Sequence, residues 1–277
     1  MSTIGRLIAA IRGKARSPQP PGAVAGPTVD FTCNVCGGDN RGVPLAYAEN
    51  RENQSCRACM ASLRMRSLMY LLSMELFGRP LTLPEFPVDK GIRGLGMSDW
   101  EGYAGALAAK LDYANTFYHR EPRLDIADVP ESAMGRHRFL ISSDVFEHVP
   151  PFALDAAFRN SRRLLRHDGC FILTVPFAKE GETREHFPRL HDYRLVEEGG
   201  RRRLINRTAG GLEEVFDELV FHGGEGMTLE MRMFSESDLL RRLAAAGFSS
   251  ARVHGEHYAP YGILWPIDHS LPIVARA

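Results

Sequence analysis

The stretch from Arg123 to Phe177 decides the fold of this chain. It opens RLDIADVP, continues RFLISSDVFEHVP and an amphipathic segment ending RRLLRHDG, and closes CFILTVPF. A short strand ending in Asp125 precedes an apolar strand ending in Ser-Ser-Asp, a helix that stops at a glycine, and a second apolar strand. Such a strand–helix–strand unit is typical of a parallel sheet with helices packed against it. The stretch therefore predicts an α/β protein.

Polar side chains gather where these predicted strands end. They belong to Asp125, Ser143, Asp144, Glu147 and His148. In open α/β sheets, ligands bind just beyond the carboxyl ends of the strands. We therefore expect these five side chains to face one crevice.

The bulk properties narrow the class of protein. The chain has 277 residues and a formal net charge of zero, which predicts one substantial core with a small appendage. A neutral balance argues against a nucleic-acid partner, although it does not exclude a local basic patch. The sequence has no apolar run long enough to span a membrane and no secretory signal at its start. We expect a cytoplasmic protein, and the sequence does not indicate its oligomeric state.

Four of the five cysteines form two matched pairs. Cys33-x2-Cys36 and Cys56-x2-Cys59 are separated by nineteen residues. In a cytosolic chain this spacing favours a closed tetrahedral zinc site over disulfides, with reduced thiols near a loop as the alternative. The pattern predicts a small zinc ribbon or knuckle that ends in a helix over residues 62–77.

Composition divides the chain into three parts. Residues 1–30 read as a flexible segment and a Pro/Gly linker, although residues 1–16 could form a helix for a membrane surface or a partner. Residues 31–87 form the cysteine module, meaning the four-cysteine zinc site and its following helix. Residues 88–277 form the α/β domain, with an insertion at about 178–232 (hereafter the insertion), where the strand–helix rhythm is lost.

A glycine turn opens the α/β domain with the sequence GIRGLGMSDWEGYAGALAAKL. A short strand enters Gly94 and Gly96, and a helix is predicted to begin at Ser98. Ser98 and Glu101 have the spacing of a capping box. A strand, a glycine turn and a capped helix can together cradle a polar cofactor.

The glycine turn, Asp125, SSDVFEHV, RLLRHDG with its apolar strand, and AGF near the end follow one another in a familiar order. The chain resembles the class I S-adenosylmethionine-dependent methyltransferases over residues 88–277, in the group whose fourth strand runs into Glu-His-Val. The resemblance implies a Rossmann-like seven-stranded sheet with helices on both faces and the cofactor above its carboxyl edge. Some methyltransferases of sugars and of ribosomal RNA also carry an amino-terminal cysteine module.

The resemblance also implies roles for single residues. In the family, glycines of the turn approach the methionine and ribose, an acid near the second strand binds the ribose, and the fourth strand leads to the reactive methyl. On this chain the cofactor-binding residues implied are Gly94, Gly96, Ser98, Glu121, Asp125, Ile126, Ser143 and Asp144. A hydroxyl acceptor requires a base, for which His148 is the first candidate and Glu147 the second.

Three features depart from the family pattern. Ile92 stands where an acid usually precedes the first glycine, and Ser98 replaces the usual third glycine. The distance from Gly96 to Asp125 is short, which predicts that one helix of the family fold is missing.

The insertion is predicted to form a hairpin around Gly199-Gly200. We expect a lid that recognises the acceptor through His186, His191, Tyr193 and His222. A hydrogen-bonded surface hairpin is the simpler alternative, and a second metal site from His186, His191 and Asp192 is another.

Three functions remain open at this point. The leading hypothesis is methyl transfer from S-adenosylmethionine to a small-molecule or carbohydrate-type acceptor, at oxygen or carbon. The first alternative is an RNA methyltransferase that grips phosphates through the cysteine module, Arg64 and Arg66. The second is a non-catalytic, zinc-stabilised interaction protein that keeps the sheet but has lost cofactor affinity.

Overall fold

The structure, a computed structural model, describes residues 26–222 and 228–277. Its strands are β1 Thr28–Thr32, β2 Asp39–Pro44, β3 Asp89–Met97, β4 Leu111–Thr116, β5 His137–Ser143, β6 Leu165–Thr174, β7 Phe177–Ala178, β8 Arg184–Glu185, β9 Asp192–Glu198, β10 Arg201–Arg207, β11 Glu213–Phe216, β12 Phe221–His222, β13 Thr228–Leu229, β14 Arg232–Ser235, β15 Ser250–Val253 and β16 Ile273–Arg276. Its α-helices are α1 Leu45–Ala48, α2 Leu63–Phe77, α3 Glu101–Lys110, α4 Leu154–Leu164 and α5 Glu236–Ala245. The possible helix over residues 1–16 lies outside the described residues.

A mixed sheet in the order β15–β16–β6–β5–β3–β4 organises the chain. The four strands from β4 to β6 are parallel, and β16 runs antiparallel between β6 and β15. The register places Met97 opposite Thr116, and Ser143 opposite Thr174. The carboxyl ends of these strands therefore meet at one edge, as the sequence predicted.

Six strands form this sheet in the described part of the chain, so the expected seven-stranded sheet is wrong. The strand predicted to end at Asp125 does not form. Phe117 and Arg123 make only an isolated bridge, and Asp125 begins a turn closed by the Asp128 amide. No α-helix lies in the fully described segment between β4 and β5, which confirms that a helix is missing.

Both faces of the sheet are buried, because alternate residues of the central strands face opposite layers. Leu140 and Phe171 pack with α4 and α5 on one face, whereas Phe139 and Ile172 pack with α2 and α3 on the other. The second layer also contains Cys33, so the cysteine module shares a core with the sheet.

The boundaries of two predicted helices need correction. Ser98 does not cap α3: it adopts φ of 57° and lies on the surface, and α3 follows Trp100. Gly169 does not stop α4, because the chain turns directly from α4 into β6, and Gly169 lies buried inside that strand. By contrast, α2 begins where predicted, after its N-cap Ser62, and Ser235 caps α5.

The insertion forms a small layer of its own. The predicted hairpin is confirmed as β9 and β10, with β11 as a third strand. Phe187, Leu190 and Leu204 are buried in a separate apolar cluster beneath it. In the described ranges, no helix has the length and apolarity needed to cross a membrane.

Candidate functional site

Asp144 lies at the centre of the carboxyl edge, one residue beyond β5. Its φ of 55° directs it into the left-handed region, where aspartate is among the better tolerated residues. Arg51 binds its carboxylate through both terminal nitrogens, at 2.9 and 2.6 Å. The Thr174 hydroxyl donates to the same carboxylate at 3.0 Å. Burial acts to raise the pKa of Asp144, but Arg51 and Arg64 outweigh it and hold that pKa well below its usual range.

A second arginine completes this cluster. The Arg64 Nε lies 3.3 Å from Asp144 Oδ2, and its Nη1 donates to the Ser143 hydroxyl. Glu52 accepts from both Arg51 and Arg64. Two guanidinium groups thus balance two carboxylates. We call this set the carboxyl-edge cluster: Arg51, Glu52, Arg64, Ser143, Asp144 and Thr174.

Asp99 provides a second buried acid at the same edge, in the turn that follows β3. It is only 3% exposed, and its Oδ2 accepts a hydrogen bond from the Tyr113 hydroxyl. Its other oxygen, Oδ1, is buried and makes no hydrogen bond of ordinary geometry among the described residues. The buried Tyr103 hydroxyl is the neighbouring group that interacts with this carboxylate and, like Tyr113, acts to lower its pKa. Burial raises the pKa of Asp99 to about 7, although Tyr113 opposes the shift.

The two glycines of the turn are required by close packing. A Cβ at Gly94 would lie 2.0 Å from the ring of Phe139. A Cβ at Gly96 would lie 1.9 Å from the Tyr113 hydroxyl and 2.3 Å from Asp99 Oδ2. Any larger residue at Gly96 would therefore displace the acid of the turn.

The other predicted cofactor residues lie in the segment between β4 and β5. Ile126 is buried, and its carbonyl accepts from Asn160. The Asp125 carboxylate accepts from the Ala127 amide, so it stabilises its own turn. Glu121 is exposed and accepts from the Arg123 amide. The structure brings Ser143 and Asp144 together but shows no contact that joins them to these residues.

His148 and Glu147 lie in a short 3-10 turn, Phe146–His148, directly after the edge. The Nδ1 of His148 lies 3.0 Å from the carbonyl of Leu229. A carbonyl only accepts, so this contact assigns the proton of the neutral ring to Nδ1 and leaves Nε2 as the basic nitrogen. The Nε2 lies 3.7 Å from the carboxylate of Glu147, whose side chain is completely buried.

Residues of the insertion form hydrogen bonds with this 3-10 turn. The Met231 amide donates to the Glu147 carbonyl at 2.8 Å, and Arg232 Nη1 donates to the Phe146 carbonyl at 3.0 Å. Arg232 is completely buried and pairs with Glu185 at 2.7 Å. With the contact from His148 to Leu229, three hydrogen bonds join the turn to residues 229–232.

The predicted acceptor residues fall into two groups. His186 pairs with Glu230 at 2.8 Å, next to the strand that grips His148. His191 is exposed and Tyr193 is half-buried, both at the start of the β9 hairpin, where burial and nearby Tyr118 raise the pKa of Tyr193. The His222 backbone pairs with Thr228, and its side chain lies outside the described part of the structure.

The four cysteines of the module converge. Their sulfur atoms all lie within 4.8 Å of one another, and no other group of three or more ligands in the described ranges does so. The second metal site considered for His186, His191 and Asp192 is therefore wrong. Each cysteine pair is followed by a residue with positive φ, Gly37 at 78° and Met60 at 67°. The two turns thus direct both pairs of thiols to one point.

The structure reveals site residues that the sequence reasoning missed. Asp99 could have been predicted from the sequence, because an acid in the turn directly after an apolar strand lies at the carboxyl edge of the sheet. No sequence pattern indicated Arg51 and Glu52, because they lie in an irregular loop between the cysteine pairs. Arg64 was assigned to phosphate binding, but it pairs inwards with Asp144, and Arg66 is completely buried. Neither arginine is available to grip RNA.

No protein-family model matches the chain, and no curated protein matches it. Among solved structures it is similar to the 1,6-didemethyltoxoflavin-N1-methyltransferase of Burkholderia thailandensis bound to S-adenosylhomocysteine, with 16% identity, 75% of each chain covered and a TM-score of 0.41. It is also similar to the sugar N-methyltransferase KedS8 of Streptoalloteichus sp ATCC 53650, with 14% identity, 68% of this chain and 81% of that chain covered, and a TM-score of 0.38.

The chain's own topology defines its class. Four parallel strands, an antiparallel strand inserted next to the sheet edge, and helices on both faces give a Rossmann-like α/β fold. The predicted fold class is therefore confirmed, with a cysteine module that can hold a metal ion in front of it.

Proposed function

We propose that this chain transfers a methyl group from S-adenosylmethionine to a small-molecule or carbohydrate-type acceptor, at oxygen or carbon. The observation that carries the proposal is the buried carboxylate of Asp99 at the turn after β3, whose Oδ1 makes no hydrogen bond of ordinary geometry in the described part of the chain. Leaving such an oxygen without a donor costs free energy, so it suits a ligand that brings one. The ammonium group of a methionine-derived cofactor is such a donor.

The other residues of the edge fit the same cofactor. Ser143 and Asp144 would border its reactive end, beyond the carboxyl end of β5. Gly94, Gly96 and Ser98 remain our candidates for the methionine and ribose portion, as do Glu121, Asp125 and Ile126 for the ribose and adenine. When bound, the cofactor supplies an electrophilic methyl group, and the chain's task is to orient the acceptor.

His148 is proposed as the base for an acceptor hydroxyl. Its Nδ1 contact with the Leu229 carbonyl orients the ring, and Nε2 can then accept the proton. Glu147, 3.7 Å from Nε2, would stabilise the imidazolium that forms. For a carbon acceptor already activated as a nucleophile, the same residues would position it without a proton transfer.

The insertion is proposed as the acceptor lid. His186, His191, Tyr193 and His222 are its candidate contacts, and the grip of residues 229–232 on the His148 turn supports the assignment. Retention of acceptor binding after replacement of both His191 and Tyr193 by alanine would contradict the lid.

The cysteine module is proposed to hold one structural Zn²⁺ with Cys33, Cys36, Cys56 and Cys59. Four sulfur ligands close the coordination shell, so this ion stabilises the fold and takes no part in chemistry. Metal analysis of protein purified without chelator should give one zinc per chain. A content far below one would contradict the site.

Calorimetric titration with S-adenosylmethionine and S-adenosylhomocysteine tests the proposed activity. We expect saturable one-to-one binding, weakened at least about tenfold in Asp99→Asn, since a charge-assisted hydrogen bond is lost. Asp125→Ala should also weaken binding, and the exposed neighbour Asp128→Asn serves as the control. Equal affinity in wild type and Asp99→Asn would remove Asp99 from the site.

A non-catalytic interaction protein is the second candidate, and one observation favours it. The space above Gly94 and Gly96 is occupied by Phe139, Tyr113 and Asp99 of the chain itself. A folded, zinc-loaded sample that binds neither cofactor form would support this candidate over the enzyme.

A further inference from the structure

We propose that the cysteine module is one half of the cofactor site, because it positions Asp144 and Ser143 through Arg51 and Arg64. Cofactor affinity would then depend on an intact four-cysteine centre, although no cysteine touches the cofactor. This inference rests on the proposed function.

The first step is the path of the chain. Arg51 lies in the loop between the two cysteine pairs, and Arg64 lies in the first turn of α2, five residues after Cys59. The Arg64 amide donates to the Arg51 carbonyl at 3.2 Å, so the two arginines are joined through the backbone as well as through Glu52. Movement of the second cysteine turn would therefore move both.

The second step is the anchoring of that turn. Arg66 is completely buried and donates to the Ser55 hydroxyl at 2.8 Å and to the Ala61 carbonyl at 3.0 Å, on either side of the second cysteine pair. It also donates to the carbonyls of Tyr261 and Gly262, at 2.9 and 3.0 Å. One side chain thus ties the cysteine turn to a loop of the α/β domain.

The third step is the contact with the sheet edge. Arg51 and Arg64 are each only 13% exposed, and both bind Asp144. Arg51 Nε also donates to the carbonyl of Ser270, while the Ser270 hydroxyl bonds the backbone of Phe177. A bidentate arginine holds a carboxylate in one orientation, which a lysine cannot reproduce. Arg51 is therefore a positioning residue for Asp144.

The matched pair of variants is Arg51→Met and Arg57→Met. Arg57 lies in the second cysteine turn and is exposed, and among the described residues its guanidinium donates only to the Gly42 carbonyl, at 3.4 Å. Both variants keep the four cysteines, so both should retain zinc. Arg51→Lys keeps the charge but loses the bidentate geometry.

Two readouts are measured on each zinc-loaded variant. The first is the affinity for S-adenosylhomocysteine by calorimetry, expected to fall at least about tenfold in Arg51→Met, partly recover in Arg51→Lys and stay unchanged in Arg57→Met. The second is hydrogen exchange of the Asp144 amide, which donates to the Thr174 carbonyl at 2.9 Å. Its exchange should accelerate in Arg51→Met and not in Arg57→Met.

The two readouts separate the two proposals. Failure of wild type to bind S-adenosylhomocysteine counts against the proposed function, whereas unchanged exchange at Asp144 in Arg51→Met overturns the positioning role whatever the affinity. Removal of zinc by chelation should accelerate the same exchange, and exchange that is insensitive to zinc would overturn the dependence on the cysteine centre.

Discussion

On one side of the end of β5, guanidinium groups of the cysteine module pair with the Asp144 carboxylate. On the other side, the insertion is joined to the His148 turn by three hydrogen bonds in which every acceptor is a backbone carbonyl. The first contact uses Arg51 and Arg64, and the second uses residues 229–232. Charge pairs respond to pH and salt, but hydrogen bonds to carbonyls do not titrate. The end of β5 is therefore held by ion pairs on one side and by hydrogen bonds to carbonyls on the other. Changes of salt or pH should weaken the first set of contacts more than the second.

The largest expected effect comes from removing a zinc ligand of the cysteine module. Cys56→Ser should lose the ion and destabilise the protein by about 3 kcal/mol or more, because binding of a structural metal is coupled to folding. Urea unfolding monitored by circular dichroism measures the loss. Cys170→Ala, a buried cysteine outside the centre, should retain zinc and lose about 1–2 kcal/mol from packing. Equal destabilisation with full zinc content in both would contradict the assignment.

The next largest loss of stability is expected from removing the Arg232 hydrogen bonds between the insertion and the His148 turn. Arg232→Met should cost about 2–4 kcal/mol, since it leaves the Phe146 carbonyl and Glu185 without their donor. Thermal or urea unfolding measures it. The exposed neighbour Arg184→Met should change stability by less than about 0.5 kcal/mol. If the free energy of unfolding changes no more in Arg232→Met than in this control, the hydrogen bonds from Arg232 to the turn do not stabilise the fold.

A third prediction uses the pKa of Asp99, raised to about 7 against an ordinary value of 3.8. The folded state keeps a proton that the unfolded state has released, so this acid lowers stability progressively as pH rises from about 4 to 7. Asp99→Asn should therefore be little changed at pH 4 and more stable than wild type at pH 8, by up to about 4 kcal/mol. Urea unfolding across this range checks it, and a difference independent of pH would contradict the shift.

The smallest effect is expected at the rim of the carboxyl-edge cluster. Glu52 is 52% exposed, although it pairs with both arginines. Glu52→Gln should change the free energy of unfolding by less than about 1 kcal/mol, and the change should shrink in high salt. A larger loss that resists salt would mean that Glu52 belongs to the buried part of the cluster.

The features that could be predicted from the sequence are those that depend on local residue patterns. Spacing and residue type predicted the strand–helix–strand unit β5–α4–β6, the convergence of the two cysteine pairs, the β9 hairpin and the helix over residues 62–77, and the structure confirms them. The missing strand near Asp125 could not be read in the same way. A short acidic segment can end a strand or close a turn, and only its neighbours decide between them.

The partners of Asp144 were beyond sequence reasoning for a different reason. Arg51 is separated from it by 93 positions and lies in a loop with no periodicity. The contact depends on how the cysteine module docks on the sheet. Asp99 is an intermediate case, since its position after β3 is readable but its burial against Tyr113 is not.

The shortened sheet has a consequence for association between molecules. β4 is the outermost strand of its sheet in the described part of the chain. Outer strands can template the addition of further chains, and proteins commonly protect them by shortness and charge. β4 has only six residues, and its Asp112 is paired with Arg93. This exposed end of the sheet thus has features that disfavour edge-to-edge aggregation.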